Sequence, residues 1–354
     1  MFDVLSDTTL VALFGFLGGA VLGLAARLGR FCTLGAIEDY LYQGSDIRLR
    51  MWFLAIGVAG LATFSLAAAD ALDLSRTLYH LLPFSPVASI VGGLLFGYGM
   101  SLAGNCGFGA LARFGGGDLR SFVIVLVMGI SAYFMQSGAL AGLRIQLITA
   151  TSMPPGTRDY ASLLGSVTGL STIGAGLLIS LAIILAALAS RSIRARPGPV
   201  VWGALVGLAI ASGWAGTYWI SAERFSITPV LSHTFTAPLG ETLLFLMTSS
   251  GGGLSFGVGS VFGVLAGAFC GSIIKGHFRW EACEDPRELK RQIIGAICMG
   301  FGAVLALGCT IGQGISAFSV MALSAPITFA AIFAGATLGL RHLITGFPSL
   351  TAGR

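Results

Sequence analysis

Eight uncharged stretches of 19 to 49 residues divide this chain, and every Asp, Glu, Lys and Arg lies before, between or after them. An α-helix needs about 20 apolar residues to cross a bilayer, whereas the strands of a membrane barrel are shorter and alternate in polarity. With 55% hydrophobic and 10% charged residues, the chain is also too apolar for an ordinary soluble domain. The sequence therefore predicts an all-α, polytopic integral membrane protein.

The number of crossings follows from the lengths of these stretches. The longest, residues 292–340, must cross the membrane more than once. We predict about nine transmembrane helices, with short re-entrant half-helices between some of them. The predicted crossings are residues 8–27, 51–69, 86–105, 121–142, 161–189, 199–220, 253–274, 291–309 and 324–342.

The basic residues predict how the chain is oriented in the membrane. Many of them fall in three clusters, within residues 27–50, 191–196 and 275–291, and cytoplasmic loops are enriched in Lys and Arg. In a bacterial inner (plasma) membrane, this distribution places the N-terminus outside and, after nine crossings, the C-terminus in the cytoplasm. Carboxylates interrupt the clusters, so we expect a solvated rim and no nucleic-acid partner.

The two halves of the chain share a repeat. Residues 90–109 align with residues 293–312 at an offset of 203, and eight of the twenty positions are identical. The identical pairs are Ile90/Ile293, Gly92/Gly295, Gly97/Gly300, Gly99/Gly302, Leu102/Leu305, Ala103/Ala306, Cys106/Cys309 and Gly109/Gly312. Such repeats are typical of transporters. We predict a single membrane transport domain, residues 1–354, with repeats at about 8–145 and 199–345, joined by a connecting helix at about 160–190. In the predicted orientation the two halves are inverted.

The repeat ends in a cysteine flanked by glycines, Cys106 in the first half and Cys309 in the second. Glycine lets the backbone leave a helix, and irregular backbone at membrane depth is tolerated only where it is buried in protein or lines a cavity. A short helix that restarts after each cysteine would aim its free amide groups at the break, and such helix ends bind anions. The predicted anion donors are Asn105, Gly107, Phe108, Gly109, Thr310, Ile311, Gly312 and Gln313.

Each of these residues also has a purely structural interpretation. Buried cysteines often serve only as small hydrophobic residues, and the shared glycines would let helices pack closely. Asn105 and Gln313 either donate to an anion or bond the carbonyl groups that a helix break frees. We favour a binding site because the cysteine and its glycines occur together in both halves.

The thiols indicate what kind of anion to expect. A neutral thiol is a polarisable, weak donor, so it suits a soft, sulfur-bearing anion better than a strongly hydrated ammonium would. Cys32 follows the first crossing beside Arg30, at the predicted cytoplasmic boundary, where it either meets solute or has no role. The other cysteines, Cys270, Cys283 and Cys298, are predicted to be structural or without function. No phosphate-binding loop or metal-ligand spacing is found, so neither a cofactor nor a metal is expected.

Three segments resemble the YeeE/YedE family of thiosulfate permeases. They are RFCTLGA at residues 30–36, GYGMSLAGNCGFGAL at 97–111 and GFGAVLALGCTIGQG at 300–314, and the resemblance extends from about residue 10 to residue 342. It implies an hourglass-shaped helical fold and uptake of thiosulfate from outside the cell, with Cys32, Cys106 and Cys309 relaying the ion through S–H···S contacts. It also implies a separate soluble sulfur-carrier partner of the TusA type at the cytoplasmic face.

We therefore predict a permease for thiosulfate or a related small sulfur anion, and not an enzyme. Cys106 and Cys309 are placed at the narrow centre and Cys32 at the cytoplasmic end. One alternative is a membrane thiol enzyme that passes sulfur through a Cys32 persulfide to a soluble carrier. Another is a membrane scaffold for such a carrier, without flux. The lack of a large soluble domain disfavours both.

Overall fold

The computed structural model describes residues 6–153, 159–223, 229–249, 253–282 and 285–346, and these residues form helices with no β-strand among them. Seven described helical segments are long and apolar enough to cross a membrane, or eight if one bent pair counts as a single crossing. The predicted all-α, polytopic membrane fold is confirmed. The count of nine stays a prediction, because the helix at the predicted crossing 291–309 carries Glu288, Lys290 and Arg291 in its first turns.

The helices occur in three groups along the chain. The first group is α1 (Asp7–Leu28), α2 (Thr33–Tyr42), α3 (Ile47–Ala68), α4 (Leu78–Leu81), α5 (Pro86–Ala103), α6 (Gly107–Gly115) and α7 (Leu119–Gln136), with a 3₁₀ turn at Leu74–Arg76. The connecting group is α8 (Ala141–Thr151), α9 (Tyr160–Thr168), α10 (Thr172–Leu188) and α11 (Arg191–Arg194). The last group is α12 (Pro197–Glu223), α13 (Ala237–Thr248), α14 (Phe256–Ile274), α15 (Pro286–Leu305), a π turn (Gly312–Ser316), α16 (Ala317–Ser319) and α17 (Ser324–Thr345).

The segment 160–190, predicted as one connecting helix, contains two helices. α9 and α10 meet at an angle of 107°. Gly169 ends α9 in the left-handed conformation, with φ of 76°, which a glycine adopts without steric cost. The Ser171 hydroxyl then accepts from the Gly174 N–H and starts α10. The chain therefore turns sharply between the two helices.

The two central helices, α5 and α15, start in the same way. Ser85 caps α5 by accepting from the Ala88 N–H, and Asp285 caps α15 by accepting from the Arg287 N–H. In each case a proline is the first helical residue, where its missing N–H costs nothing. Both helices then run to the glycine and cysteine motif at their C-terminal ends.

Helices α5 and α15 lie side by side in antiparallel directions and touch through glycines. A β-carbon built on Gly92 would lie 2.6 Å from the carbonyl oxygen of Gly302, and one built on Gly99 would lie 2.5 Å from that of Gly295. At the repeat offset of 203 residues, Gly92 corresponds to Gly295 and Gly99 corresponds to Gly302, so the two contacts are equivalent. A twofold axis between the two helices imposes this relation. These glycines thus have the close-packing role that the sequence left as one alternative.

The other helices follow the same pairing. In the first half α1 packs against α14, and in the second half α12 packs against α3. In the same way α5 packs against α17, and α15 packs against α7. The helices α1, α3, α5 and α7 therefore correspond, in that order, to α12, α14, α15 and α17. Residues 107–115 and 310–319, which follow α5 and α15, therefore occupy corresponding places in the two halves.

Gly97 provides a test of this packing. A β-carbon at Gly97 would lie 2.1 Å from the carbonyl oxygen of Ile332, in the backbone of α17. We expect Gly97→Val to destabilise the protein by about 1–3 kcal/mol, because α5 must move away from α17. The measurement is the unfolding temperature of the detergent-solubilised protein. Gly142→Val in α8 is the control, since a β-carbon there meets nothing within 4 Å. Equal unfolding temperatures for the two variants would contradict the tight contact.

Candidate functional site

Both central helices break at corresponding residues. α5 ends at Gly104, with φ of 77°, and α15 is followed by Leu307, with φ of 55°. The two residues are 203 positions apart. Glycine accepts this left-handed conformation freely, whereas a leucine pays roughly 1–2 kcal/mol for it. Because the second half makes the same turn with an unfavourable residue, the break itself is a feature that both halves require.

Each of the three predicted cysteines lies at the start of a helix. The Cys106 carbonyl accepts from the Ala110 N–H at 2.8 Å at the start of α6, and the Cys309 carbonyl accepts from the Gln313 N–H at 2.8 Å. Cys32 caps α2, and its carbonyl accepts from the Ala36 N–H at 3.1 Å. The first amides of a helix have no carbonyl partner within it, so each cysteine stands beside donors that carry partial positive charge.

The two central sulfur atoms accept hydrogen bonds from backbone amides. Cys106 Sγ accepts from the Gly109 N–H at 3.4 Å, and Cys309 Sγ accepts from the Phe235 N–H at 3.3 Å. Both side chains are fully buried, whereas Cys32 is half-buried. Cys32 and Cys309 both lie near Cys106. The tertiary structure thus brings the three cysteines into one cluster.

The remaining predicted donors take different roles. Gly107 and Phe108 supply first-turn amides of α6, and the side chains of Phe108 and Ile311 are buried in the apolar core. The Gly312 carbonyl accepts from the Tyr79 hydroxyl at 2.9 Å. The Thr310 side chain lies against the Cys106 thiol.

The structure distinguishes the two amide side chains at the breaks. The Gln313 Nε2 donates to the carbonyls of Ala306 at 2.8 Å and Leu307 at 3.2 Å, so Gln313 bonds the backbone that the break frees. Asn105 is 2% exposed, and its Oδ1 has no hydrogen-bond partner among the described residues. The Gln313 Oε1 also has no partner among the described residues, and both unpaired amide oxygens are acceptors, which an anion cannot satisfy.

Two cavities approach the cysteine cluster from opposite ends of α14. The first has a volume of about 450 Å³ and is lined by Ser272 and Lys275 at the C-terminal end of α14. It also includes Cys32, Asn105, which precedes Cys106, and Gly109, whose N–H donates to Cys106 Sγ. We call it the basic cavity.

The second cavity has a volume of about 440 Å³ and is lined by Ser255 and Gly257 at the N-terminal end of α14. It includes Gly308, which precedes Cys309, and Thr234, whose hydroxyl lies 3.7 Å from Cys309 Sγ. The buried thiols therefore lie between residues that line the two cavities.

The two cavities differ in charge. Arg27, Arg30, Arg48, Arg113 and Lys275 line the basic cavity. Its one lining carboxylate is Glu38, whereas the second cavity has one arginine, Arg144, and one glutamate, Glu241. Partial burial, with Arg30 and Arg27 nearby, lowers the pKa of Lys275. This concentration of cations makes the basic cavity attractive to anions.

The other cysteines lie outside the cluster. Cys270 is exposed on α14, and Cys298 packs against Gly99 of α5. Cys283 lies outside the described residues.

Sequence reasoning missed the segment that contacts Cys309. Thr234, Phe235 and Thr236 precede α13, which lies between α12 and α14 as α2 lies between α1 and α3. Phe235 and Thr236 correspond to Phe31 and Cys32 at an offset of 204. The only sequence signal for this segment is a phenylalanine followed by the residue before a helix, and this pattern is too common to identify a site without the structure.

Broken helices that meet at a buried site between two cavities are typical of membrane transporters, in which the N-termini of half-helices face the solute. A family model described as "Sulphur transport" matches residues 27–338. The chain belongs to this family, as its motifs predicted.

Two curated relatives cover most of the chain. The protein named "Thiosulfate transporter TsuA" from Escherichia coli (strain K12) is 26% identical over 326 residues, which is 87% of this chain and 88% of that protein. The protein of the same name from Spirochaeta thermophila is 27% identical over 321 residues, which is 88% of this chain and 92% of that protein. These relatives agree with the predicted class, a transporter and not an enzyme.

The role of Gln313 can be tested without any ligand. We expect Gln313→Leu to lower the unfolding temperature, because an unpaired buried carbonyl costs about 1–3 kcal/mol and this change removes the donor of two. Gln146→Leu, at an exposed position of α8, is the control and should leave the unfolding temperature unchanged. If both variants unfold like the unmodified protein, Gln313 does not stabilise the break.

Proposed function

We propose that this protein takes up thiosulfate across the bacterial inner membrane. The ion passes from the second cavity to Cys309, then to Cys106 and finally to Cys32 in the basic cavity. The observation that carries this proposal is that three helix-capping cysteines lie near one another, with Cys32 lining the basic cavity and Cys309 next to residues that line the second cavity. The names of the two relatives supply the ion.

The chemistry of the cluster suits a dianion that must be released again after it binds. Amide groups at the helix starts offset its charge, and the thiols contact its terminal sulfur as weak, polarisable donors. Conduction requires sites that bind strongly enough for entry and weakly enough for release. The cations of the basic cavity then draw the ion away from the thiols.

The basic clusters support the proposed orientation. Residues of the first and third clusters, Arg27 and Lys275 among them, line one cavity. The second cluster lies at the same end, because Arg50 Nη1 donates to the Ala186 carbonyl at 2.9 Å and the Ser192 hydroxyl donates to Asp46 at 3.4 Å. By the positive-inside rule, this end is cytoplasmic. The N-terminus is then outside, the C-terminus inside, and the two halves are inverted.

The basic cavity also suits a soluble acceptor. Cys32 is the least buried of the three cysteines and lies among the cations at the proposed cytoplasmic end. We infer that a sulfur-carrier protein of the TusA type receives the ion here. A carrier whose docking surface is acidic would complement this charge.

The relay makes a direct prediction for the thiols. We expect Cys106→Ala and Cys309→Ala each to reduce thiosulfate uptake into proteoliposomes at least about tenfold, because one ion contact is lost and a buried hydrogen bond to a charged group is strong. Folding should be preserved, since removing one sulfur leaves only a small cavity. Cys270→Ala is the matched control and should transport normally. Full uptake by the Cys309→Ala protein would exclude the relay.

The orientation predicts which residues are accessible from outside the cell. Ala71 follows α3 and Arg279 follows α14, and both are exposed. We expect a membrane-impermeant maleimide to label Ala71→Cys in intact cells, but to label Arg279→Cys only after the cells are broken. The unmodified protein gives the background labelling. The opposite pattern would reverse the proposed direction of uptake.

A further inference from the structure

Two threonine hydroxyls at the cysteine cluster are buried without an oxygen or nitrogen hydrogen-bond partner. Thr236 is 2% exposed and its Oγ1 has no partner among the described residues, while Thr310 is fully buried and its Oγ1 meets only the weakly accepting thiol of Cys106. Burying an unpaired hydroxyl costs free energy, and most buried hydroxyls avoid that cost. These two hydroxyls, in addition, lie at the cysteine cluster, where a bound anion would supply the missing partner.

Both hydroxyls adjoin the proposed path. Thr236 lines the second cavity, and its neighbour Phe235 donates its N–H to Cys309 Sγ. Thr310 follows Cys309, and its side chain lies against the Cys106 thiol. Both hydroxyls thus lie close in the structure to groups that contact the two buried thiols.

The Thr236 side chain also does not cap the helix that it precedes. It precedes α13, a helix of 12 residues, but its side chain makes no capping bond to that helix. It takes the place in the second half that Cys32 takes in the first, because each residue precedes the helix between two long ones. The proposed path therefore has a hydroxyl, that of Thr236, at the second cavity and a thiol, that of Cys32, at the basic cavity.

Hydroxyl and thiol groups prefer different atoms. A hydroxyl is a good donor to a hard, charged oxygen, whereas a thiol is a weak donor and a polarisable contact for sulfur. Building on the function proposed above, we propose that the hydroxyls of Thr236 and Thr310 bind the oxygen atoms of the sulfur oxyanion, while the thiols contact its terminal sulfur. The two threonines are then specificity groups that favour anions with oxygen.

Other buried threonines supply a control. Thr63 and Thr328 are fully buried, and their hydroxyls also lack partners among the described residues, but they line neither cavity. A valine at any of these positions replaces the hydroxyl by a methyl group of similar size. A serine keeps the hydroxyl.

The experiment measures the KM and the maximal rate of radioactive thiosulfate uptake into proteoliposomes. We expect Thr236→Val and Thr310→Val each to raise KM about tenfold, as the loss of a hydrogen bond to a charged group should. Thr236→Ser and Thr310→Ser should restore KM to within about twofold of the unmodified protein, and Thr63→Val should leave it unchanged. If a valine variant does not fold, the alanine variant at that position takes its place.

The outcomes separate the two proposals. If the unmodified protein takes up no thiosulfate, the proposed function fails. If it takes up thiosulfate and the valine variants have the same KM, the present inference alone is overturned. It is also overturned if the serine variants are as impaired as the valine variants, because packing would then explain the loss.

Discussion

The glycine contacts between α5 and α15 fix where the two helix breaks lie. Gly92 meets Gly302 and Gly99 meets Gly295 at distances that leave no room for a side chain. Helices held this closely cannot slide, because close backbone approach depends on each small residue meeting its partner. The breaks that follow them, and with them Cys106 and Cys309, are held next to each other as a result.

The groups around the two buried thiols are neutral. Among the described residues, the contacts of Cys106 and Cys309 are backbone amides, hydroxyls and other thiols, while five cations line the basic cavity. A fixed cation at the thiols would hold a dianion firmly, because a charge pair is strong where water is excluded. This separation of neutral centre and cationic cavity favours passage over tight binding.

Much of the fold and part of the site were predictable from the sequence. The eight uncharged stretches predicted the helical membrane fold, and the repeat identified Cys106 and Cys309. The sharp turn between α9 and α10 was not predicted, because a continuous apolar stretch has the same composition whether its helix is straight or bent. The roles of Asn105 and Gln313 stayed open, since either could bond a ligand or the backbone; the structure shows Gln313 bonding the backbone.

The sequence by itself determined that the chain is a helical membrane protein with paired breaks, because apolar length and glycine spacing act locally. Only the tertiary structure decided which groups meet at those breaks. Cys32, Cys309 and the segment 234–236 are far apart in the chain, and helix packing brings them together around Cys106. The lack of an oxygen or nitrogen partner for the hydroxyls of Thr236 and Thr310 is likewise visible only in three dimensions, because the partners of a polar group depend on the neighbours that folding supplies.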